Sequence, residues 1–540
     1  MNHFLLRVRS QLRTIGLLRK IVFGLRTIDL SPHGLALLRA GRLMAAGKFN
    51  AAASCLEALG ETKRKRVLKT LLQCYFASYR FEDIVATYEA MPPRLKADPE
   101  CRHVYLTASA NLRRSEAVSQ TIEDLLQDPN RDVASKLLNR IYPFAERFGP
   151  GTHKAVVERI VSSRSELVLD HFDSVLKCAH DLRAKGYTSE SHALEEALRR
   201  QAGDARSRIK LTMFDAQVHF WNRRYDLQLA AINDILAKQN LAPVALINPN
   251  APFSCENLKA MPVDNPQVDG PLVSILMPAF NSADTIGYAL EALRHQTYRN
   301  IQVIVVDDAS SDETTRIVAQ FSAMDPRFRL IPLERNSGTF IARNLALAAA
   351  EGEYVTNQDA DDWAHPQKIA TAVAELQRDQ SITATWVEHI RCSGERGFRA
   401  LSGYIRPDAS SLMFRRKAVM EGVGWYDSVR AAGDGEFHLR IERVFGPRSI
   451  RQIGKLLSFV SWSDGSLSGG GAFLIDSDLG IFSPDRTAYR RAFGHWHETA
   501  DSLYMPFPLE KRPFPAPDAM LPSRGREASD IVEQDQQSAL

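Results

Sequence analysis

Apolar residues recur every three or four positions over most of residues 29–242, which predicts a helical region. Within it, the segments that begin at Gly47, Tyr79 and Arg113 share a short turn followed by an amphipathic helix. Their aligned positions 49, 81 and 115 lie 32 and 34 residues apart, a period typical of stacked helical hairpins of the tetratricopeptide kind. A further, degenerate copy is indicated at residues 223–226. We therefore expect an α-helical repeat domain over residues 29–242.

The pattern changes after residue 271, where short apolar runs alternate with helical segments. The predicted strands are residues 273–277, 301–306, 329–332 and 354–356. Strands that are apolar throughout are buried on both faces, so this alternation predicts an α/β domain with a mostly parallel central sheet over residues 271–505. Residues 243–270, rich in proline, are predicted to form a linker, and residues 506–540 a Pro-rich, partly disordered tail.

Residues 1–28 form a separate segment with a basic and amphipathic pattern. Residues 1–27 carry six Lys and Arg and no acidic residue, and apolar positions recur at helical spacing. The arginines interrupt the apolar core that a secretory signal needs. Two interpretations stay open for this predicted helix. It lies on an anionic membrane surface, or it docks onto the repeats that follow.

Composition narrows the class of protein. The formal net charge is +4 and 24% of residues are charged, which is typical of a globular protein and argues against a nucleic-acid binder. No apolar run approaches the roughly 18 residues of a membrane-spanning helix. The six cysteines are scattered, which predicts reduced thiols. We expect a cytoplasmic protein, in peripheral contact with the inner face of the cell membrane if its first helix binds lipid.

Two acidic clusters follow predicted strands. Asp307 and Asp308 come after the second strand, and Asp359, Asp361 and Asp362 come after the fourth. In parallel sheets ligands bind at the carboxyl ends of strands, so both clusters are expected to face one crevice. Carboxylates this close repel one another unless a cation lies among them, and such oxygen ligands suit Mg²⁺ or Mn²⁺. With no glycine-rich phosphate loop after the first strand, the sequence predicts a diphosphate held by a divalent metal.

Four motifs in order resemble the family 2 glycosyltransferases of GT-A fold. They are residues 273–281 (VSILMPAFN), 305–312 (VVDDASSD), 342–344 (ARN) and 351–362 (EGEYVTNQDADD). The resemblance covers residues 271–445. It implies a GT-A nucleotide-diphospho-sugar transferase domain, a divalent metal cofactor (Mn²⁺ or Mg²⁺), a nucleotide-diphosphate sugar as donor, with UDP favoured, and a glycan acceptor.

The resemblance also implies roles for single residues. The implied nucleotide-sugar-binding positions are Pro278, Ala279, Phe280, Asp307, Asp308, Arg343, Asp359 and Ala360. The first three would line the nucleoside pocket. Asp308, alone or sharing the task with Asp307, would accept a hydrogen bond from the base. Arg343 would pair with Asp308 or approach the nucleotide.

Residues 359–361 match the DxD motif of the family. Asp359 would hold the ribose side and serve as a second metal ligand, while Asp361 would bind the metal that bridges both phosphates. Asp362 is expected instead to cap the helix that follows Pro366. Some GT-A enzymes complete the metal shell with a later histidine. None stands at the corresponding place here, where Asp464 or a water is the substitute.

The expected general base lies in residues 432–440 (AGDGEFHLR), which resemble a further family segment. Asp434 matches the base, Gly433 stands where the family often has Glu, and Glu436 is a reserve catalytic or acceptor-binding residue. Asp434 is also placed to cap the helix, and the two roles are compatible. Attack on the face opposite the leaving group inverts the anomeric centre.

Together these features predict an inverting, metal-dependent hexosyl- or related transferase in bacterial surface or extracellular polysaccharide synthesis. The helical repeats would bind a protein partner or orient the acceptor. The alternative is a non-catalytic nucleotide-binding scaffold that uses the repeats for protein interaction. An inactive copy has no physical reason to keep Asp308, Asp359, Asp361 and Asp434 together, which favours the enzyme.

Overall fold

The structure is a computed structural model of the 540-residue chain. It describes residues 31–60, 64–128, 152, 154–156, 158–159, 172–263, 268–400, 403–462, 473, 475–476 and 481–522. The predicted N-terminal helix over residues 1–28, Asp464 and the last part of the tail lie outside the described residues. Across the described ranges, no helix combines the length and the apolar character that a membrane crossing requires.

Helices make up most of the described chain before residue 240. In chain order the α-helices are α1 (Pro32–Ala45), α2 (Phe49–Glu57), α3 (Lys65–Ala77), α4 (Phe81–Glu89), α5 (Pro93–Lys96), α6 (Pro99–Asn111), α7 (Ser115–Gln127), α8 (Phe172–Ala184), α9 (Thr188–Gln201), α10 (Ala205–Trp221), α11 (Tyr225–Lys238), α12 (Ile286–Arg294), α13 (Thr314–Met324), α14 (Thr339–Ala348), α15 (Lys368–Arg378), α16 (Arg416–Gly422), α17 (Gly433–Phe445) and α18 (Pro484–Thr499).

Among the described residues, strands begin only after α11. They are β1 (Val244–Leu246), β2 (Leu258–Ala260), β3 (Val273–Ala279), β4 (Ile301–Asp307), β5 (Phe328–Pro332), β6 (Tyr354–Asn357), β7 (Trp363–Ala364), β8 (Ala384–Ser393), β9 (Gly397–Phe398), β10 (Arg406–Pro407), β11 (Met413–Arg415), β12 (Ile450–Ser461), β13 (Ile475–Asp476) and β14 (Ile481–Phe482).

The chain divides into two compact units. The first comprises Met1–Leu211, Ala400–Gly403 and Gly471–Thr499, and the second comprises Thr212–Arg399, Tyr404–Gly470 and Ala500–Leu540. Sequence patterns placed one boundary at residues 242–271, so the division differs from that prediction in two ways. The helical unit ends earlier along the chain, and it takes in a later segment that we expected within the α/β domain.

Successive helix pairs are joined by one recurring turn. At Gly47, Tyr79, Arg113, Gly186 and Arg223 a single residue takes a left-handed conformation, with φ between 54° and 86°. The second helix of the pair starts two residues later each time, as α2, α4, α7, α9 and α11 do. The turn is therefore the structural form of the repeated sequence pattern. Apolar side chains such as Leu72 and Ile84 fill the core between the helices.

Helix α18, the late segment of the helical unit, is held by polar contacts to residues in and near the early helices α2 and α4. Glu498 on α18 accepts hydrogen bonds from the main-chain N–H groups of Asn50 (3.0 Å) and Ala51 (3.3 Å), at the first turn of α2. Lys48, the N-cap residue of α2, makes no side-chain cap bond. Arg490 donates to the Tyr79 hydroxyl at 2.7 Å. Residue 498 thus caps a helix that begins at residue 49.

The α/β unit is built on one sheet with the strand order β5-β4-β3-β6-β11-β8-β12-β7. Strands β5, β4, β3 and β6 are parallel, β11 is antiparallel to both of its neighbours, and β12 is parallel to β8. The prediction of an α/β domain with a mostly parallel sheet after a helical region is confirmed. Ile275, Leu276 and Val305 are fully buried, as strands covered on both faces require.

The described parts of the expected linker and tail are structured. Strands β1 and β2 form an antiparallel ladder inside residues 243–270. In the tail, Arg512 pairs with Asp427 at 2.6 Å, and the carbonyl of Met520 accepts from the Arg430 N–H at 2.8 Å. Pro-rich composition disfavours helix but leaves extended packing open, and the disorder that we predicted for the end of the tail concerns residues outside the described part of the chain.

Candidate active site

The loop after β3 lies against the acidic loop after β4. Ala279 is buried, Pro278 is half-buried, and the Phe280 side chain is 49% exposed. Asn281 takes a left-handed conformation, and its side-chain oxygen accepts from the Ser311 N–H at 2.8 Å. The structure therefore places the three predicted nucleoside-pocket residues beside the first acidic cluster, with one aromatic ring left open to solvent.

Asp307 has both carboxylate oxygens engaged by the loop and helix that follow it. One accepts from the Ser310 N–H at 3.1 Å and the other accepts from the hydroxyl of Thr315 on α13. The side chain is 2% exposed. Asp307 consequently shapes the turn after β4, which leaves Asp308 as the residue of this pair that reaches across to another loop.

Asp308 fixes the start of α14. Its carboxylate accepts from the N–H groups of Ser337 (2.6 Å) and Gly338 (2.8 Å). Burial raises the pKa of Asp308, and the two main-chain donors partly offset that rise. Arg343 was expected to pair with Asp308 or to approach the nucleotide, and the structure shows no such pair. Its guanidinium instead bonds Asp359.

Arg343 is a buried cation between two predicted parts of the site. Its side chain lies on α14, is 5% exposed and donates from Nη2 to Asp359. Burial works against its charge, but Asp359, Tyr426 and Asp434 together raise the pKa of Arg343. Its Nε is buried without a hydrogen-bond partner in the described part of the chain. One guanidinium thus bonds the DxD carboxylate and is also acted on by the charge of the predicted base.

The DxD segment lies at the carboxyl end of β6. Ala360 is buried, and Asp361 is half-buried, with its main-chain oxygen accepting from the Tyr288 hydroxyl at 2.9 Å. Burial raises the pKa of Asp361 to about 6, and the charge of Asp359 adds to the effect. Two desolvated, mutually repelling carboxylates are the donor set that a hard divalent cation stabilises.

No group of three or more His, Cys, Asp and Glu side chains is placed to hold a metal ion among the residues that the structure describes. Sites for Mg²⁺ commonly use one or two carboxylates and complete the shell with water and substrate phosphate. Asp361 and Asp359 therefore suit such an ion, and Asp359 also forms an ion pair with Arg343.

The prediction for Asp362 is wrong. Helix α15 begins at Lys368 and its N-cap residue, Gln367, makes no side-chain cap bond. Asp362 is buried, and its Oδ1 accepts from the Ser461 N–H at 2.9 Å. Its carboxylate therefore ties the DxD loop to the end of β12, a contact between residues 99 positions apart that local sequence rules do not reveal.

Sequence reasoning also missed a buried cation under this loop. Lys368 is 4% exposed and donates to the side-chain oxygen of Gln358 at 2.9 Å. Burial lowers the pKa of Lys368, while Asp408, Asp362 and Asp359 act to raise it. The sequence signal that could have revealed Lys368 is its position on α15, in line with the apolar residues that form the buried face of that helix.

Asp434 lies in the first turn of α17 and is half-buried. The N-cap position belongs to Ala432, which is left-handed at φ 68°, and Asp434 Oδ1 accepts from the Gly435 N–H at 2.8 Å. A Cβ atom on Gly433 would lie 2.9 Å from the Phe340 ring. That ring gives a physical reason for glycine where the family often has Glu.

Glu436 does not suit the reserve role that we expected. Its side chain is fully buried and forms a two-point ion pair with Arg440, at 2.8 and 2.9 Å. Arg440 also donates to the carbonyls of Val423 (2.6 Å) and Trp425 (2.7 Å). Glu436 therefore holds the loop before α17 through Arg440, and moving it toward an acceptor would strand a buried charge.

Asn344 joins three parts of the site, a role that sequence reasoning missed. Its side chain donates to the Tyr426 carbonyl at 2.9 Å and accepts from the Tyr426 N–H at 3.0 Å. The Tyr426 hydroxyl in turn accepts from Asn357, at the end of β6, at 3.0 Å. Asn344 therefore attaches the loop leading to Asp434 to α14 and β6.

The sheet order and the acidic strand ends define a domain of GT-A fold. Residues 274–424 match the family model described as "Glycosyl transferase family 2". The chain is 30% identical over 195 residues to chondroitin synthase of Escherichia coli, covering 34% of this chain and 28% of that protein. It is 42% identical over 99 residues to succinoglycan biosynthesis protein ExoO of Rhizobium meliloti, covering 18% and 28%.

Among solved structures, the chain is similar to residues 1–349 of S. aureus TarS in complex with UDP-GlcNAc. The TM-score is 0.32 at 21% identity, covering 36% of this chain and 60% of that one. The match covers 28% of the length of each of the two curated relatives named above.

Proposed function

We propose that the protein is an inverting glycosyltransferase that moves a sugar from a nucleotide-diphosphate donor, with UDP favoured, to a hydroxyl of a glycan acceptor. The setting is bacterial surface or extracellular polysaccharide synthesis, in keeping with the relatives' names. One observation carries the proposal. The buried guanidinium of Arg343 bonds Asp359 of the DxD segment and lies 5.0 Å from the centre of the Phe340 ring, and that ring packs against Gly433, the residue before Asp434. This packing supports one site for the donor-side and acceptor-side carboxylates.

On the donor side, Phe280 offers an exposed ring for the nucleoside, next to Pro278 and Ala279. Asp308, which holds the start of α14, accepts a hydrogen bond from the base in this proposal. Asp361, with Asp359, would hold a divalent ion. Such an ion stabilises the negative charge that develops on a leaving diphosphate.

On the acceptor side, Asp434 takes the proton from the attacking hydroxyl. Its carboxylate is half-buried and lies at the first turn of α17. Arg343 orients the two carboxylates relative to each other. Proton removal and departure of the nucleotide then occur on opposite faces of the sugar, which inverts the anomeric carbon.

The test is hydrolysis of a panel of nucleotide sugars, with Mn²⁺ or Mg²⁺ against a chelator, in wild type and two variants. Asp361→Ala is expected to weaken metal-dependent nucleotide binding and abolish transfer. Asp434→Asn is expected to abolish transfer while the affinity for nucleotide stays within about twofold.

Equal transfer rates in wild type and Asp434→Asn would remove Asp434 from the base role. Nucleotide binding without turnover on any donor would instead support the scaffold alternative.

A further inference from the structure

Two buried thiols are in contact beside the strand that anchors the DxD loop. The Sγ atoms of Cys255 and Cys392 lie 3.6 Å apart, although 137 positions separate the two residues along the chain. Both side chains are 1% exposed. The sequence shows only scattered cysteines, so the tertiary structure alone brings these two thiols together.

The two cysteines come from different elements. Cys392 lies near the end of β8, and Cys255 begins a short 3-10 helix between β1 and β2. This segment packs on the sheet through Phe253, whose ring centre lies 5.4 Å from that of Phe398 and 5.3 Å from that of Phe459. A covalent bond between the two sulfurs would therefore join the β1–β2 segment to the central sheet.

Both cysteines also bond to the end of β12. The Cys255 thiol donates to the Phe459 carbonyl at 3.2 Å. Cys392 is paired in register with Ser461, and its carbonyl accepts from the Trp462 N–H at 3.1 Å. The last residues of β12 are thus held by the same two residues whose sulfurs are in contact.

This part of β12 anchors the DxD loop. Phe459 is paired with Trp363 of β7, and the centres of their rings lie 5.5 Å apart. The Ser461 N–H donates to Asp362 Oδ1 at 2.9 Å. A change at residues 459–461 would therefore reach the two residues that directly follow Asp361.

The thiol pair suits redox chemistry better than metal binding. Zinc in proteins takes four ligands, of which two thiolates would supply only half. Across the part of the chain that the structure describes, no group of three or more His, Cys, Asp and Glu side chains could hold an ion. Two thiols in contact without further ligands are the reactants of a disulfide.

We propose that Cys255 and Cys392 form a reversible disulfide when the protein meets a hydroperoxide, and that this bond loosens the anchor of the DxD loop. A disulfide has no S–H group, so the Phe459 carbonyl loses its donor. The sulfurs must also approach from 3.6 Å to the bonded distance of about 2.0 Å, which shifts the β1–β2 segment or the end of β8. This rests on the proposed transferase site and names a form of regulation for it.

The reaction needs only the two thiols and the oxidant. With hydrogen peroxide, one thiolate attacks a peroxide oxygen, so the O–O bond breaks, a sulfenic acid forms and one water leaves after protonation. The other thiol attacks the sulfenic sulfur, so the S–S bond forms while the S–O bond breaks and a second water leaves. Two electrons pass from sulfur to oxygen, and a dithiol reductant reverses the bond.

Burial makes this pair slow to react but leaves it within reach. Burial raises the pKa of the Cys255 thiol, and the contact with Cys392 adds to the rise, so the reactive thiolate is scarce. Residues 247–250 and Glu256, which lie close to Cys255 along the chain, are exposed. Local opening of this segment would admit a small oxidant. The pair therefore responds to lasting oxidation rather than to a brief pulse.

The first test is the bond itself, which needs no substrate. The full chain is incubated with hydrogen peroxide, free thiols are blocked, and unreduced peptides are mapped by mass spectrometry. We expect a cross-linked pair of peptides that contain Cys255 and Cys392, and dithiothreitol should separate them. Cys392→Ala should lose the cross-link, whereas Cys101→Ala, which removes a buried thiol of the helical unit, should keep it.

Hydrogen exchange then measures the anchor of the DxD loop. In the oxidised wild type, peptides that cover residues 359–365 and 459–462 should exchange about fivefold or more faster than in the reduced protein. Peptides from β3 should not change, and neither should any of these peptides in Cys392→Ala after the same treatment. Cys255→Ser, which keeps a donor for the Phe459 carbonyl, is the second variant if Cys392→Ala does not fold.

Donor hydrolysis separates this proposal from the proposed function. Oxidation should slow hydrolysis of nucleotide sugar by the wild type about fivefold or more, and dithiothreitol should restore the rate. Peptides that stay unlinked after peroxide treatment would overturn the proposal, as would linked protein that matches reduced protein in exchange and hydrolysis. Absence of donor hydrolysis in the reduced wild type counts against glycosyl transfer, while the cross-link and the exchange rates still decide whether the disulfide loosens the loop.

Discussion

At the scale of single residues, the buried acids of the site share a few cations of the chain itself. Arg343 bonds Asp359, Lys368 is acted on by Asp408, Asp362 and Asp359, and Arg391 acts on Asp361. A buried carboxylate costs several kcal/mol unless a positive group is near. The acidic loop is therefore already partly compensated by the chain's own cations, and a metal ion adds to that compensation.

A residue-scale prediction concerns Gly433. Its replacement by alanine places a Cβ atom 2.9 Å from the Phe340 ring. We expect Gly433→Ala to lower the free energy of unfolding by roughly 1–3 kcal/mol, because overpacking outweighs the better helix propensity of alanine. Urea unfolding measures the change.

The control is Gly494→Ala on α18, where nothing lies within 4 Å of the added Cβ atom. It should be neutral or stabilising by up to about 1 kcal/mol. Adding Phe340→Leu to Gly433→Ala should restore part of the loss. A stabilised Gly433→Ala variant would show that the ring moves freely, contrary to the packing described above.

At the scale of elements, the site is held together by main-chain groups bonded to side chains of other elements. Asp308 holds the start of α14, Asp362 holds the end of β12, and Asn344 holds the loop around Tyr426. Each contact joins segments that are far apart in sequence. The contact of Asn344 also fixes the loop that leads to α17 and Asp434.

The element-scale prediction is for Asn344→Ala. The variant leaves the buried N–H and carbonyl of Tyr426 without their partner, which should cost about 2–4 kcal/mol of unfolding free energy. Transfer should fall more than donor hydrolysis, because the loop carries the acceptor-side carboxylate. Asn300→Ala removes one bond to the Gly270 carbonyl and is the matched control, with little effect on either rate.

If Asn344→Ala lowered transfer and hydrolysis by the same factor, the bond network would serve the donor side as well. Thermal unfolding of both variants in parallel separates loss of fold from loss of position.

At the scale of the whole molecule, the chain leaves the helical unit and later returns to it. Helix α18 lies in the same compact unit as α1–α9, although it follows the α/β domain along the chain. Its contacts with the early helices include the cap by Glu498 and the Arg490–Tyr79 bond. The stability of the helical unit therefore depends on residues beyond position 480.

The prediction at this scale is for Glu498→Ala. Loss of the cap on α2 should reduce the unfolding free energy by about 0.5–2 kcal/mol, as for other N-cap deletions. Glu82→Ala is the control, because it removes a surface pair with Arg491 whose partners are 62% and 44% exposed. Such a pair contributes about 0–1 kcal/mol.

Urea unfolding of the full chain, followed by far-UV circular dichroism, measures both variants. Equal effects of Glu498→Ala and Glu82→Ala would show that the cap contributes no more than an exposed ion pair.

The sequence by itself determined the order and type of the main elements. Apolar runs at 273–277 and 301–306 became β3 and β4, and the turn pattern at Gly47, Tyr79 and Arg113 became a recurring left-handed residue. These features depend on local periodicity and backbone preference, which neighbouring residues decide. The sequence also predicted that the acidic residues after β4 and β6 lie at one edge of the sheet, because the carboxyl ends of parallel strands meet there.

Only the tertiary structure decided which charges pair. The sequence could not assign Arg343 to Asp359 rather than Asp308, bury Glu436 against Arg440, or send Asp362 to β12. Nor could it return residue 498 to the first turn of α2. Such pairings depend on distances between loops remote in sequence and on the burial that makes an unpaired charge costly, and both exist only once the sheet and helices have packed.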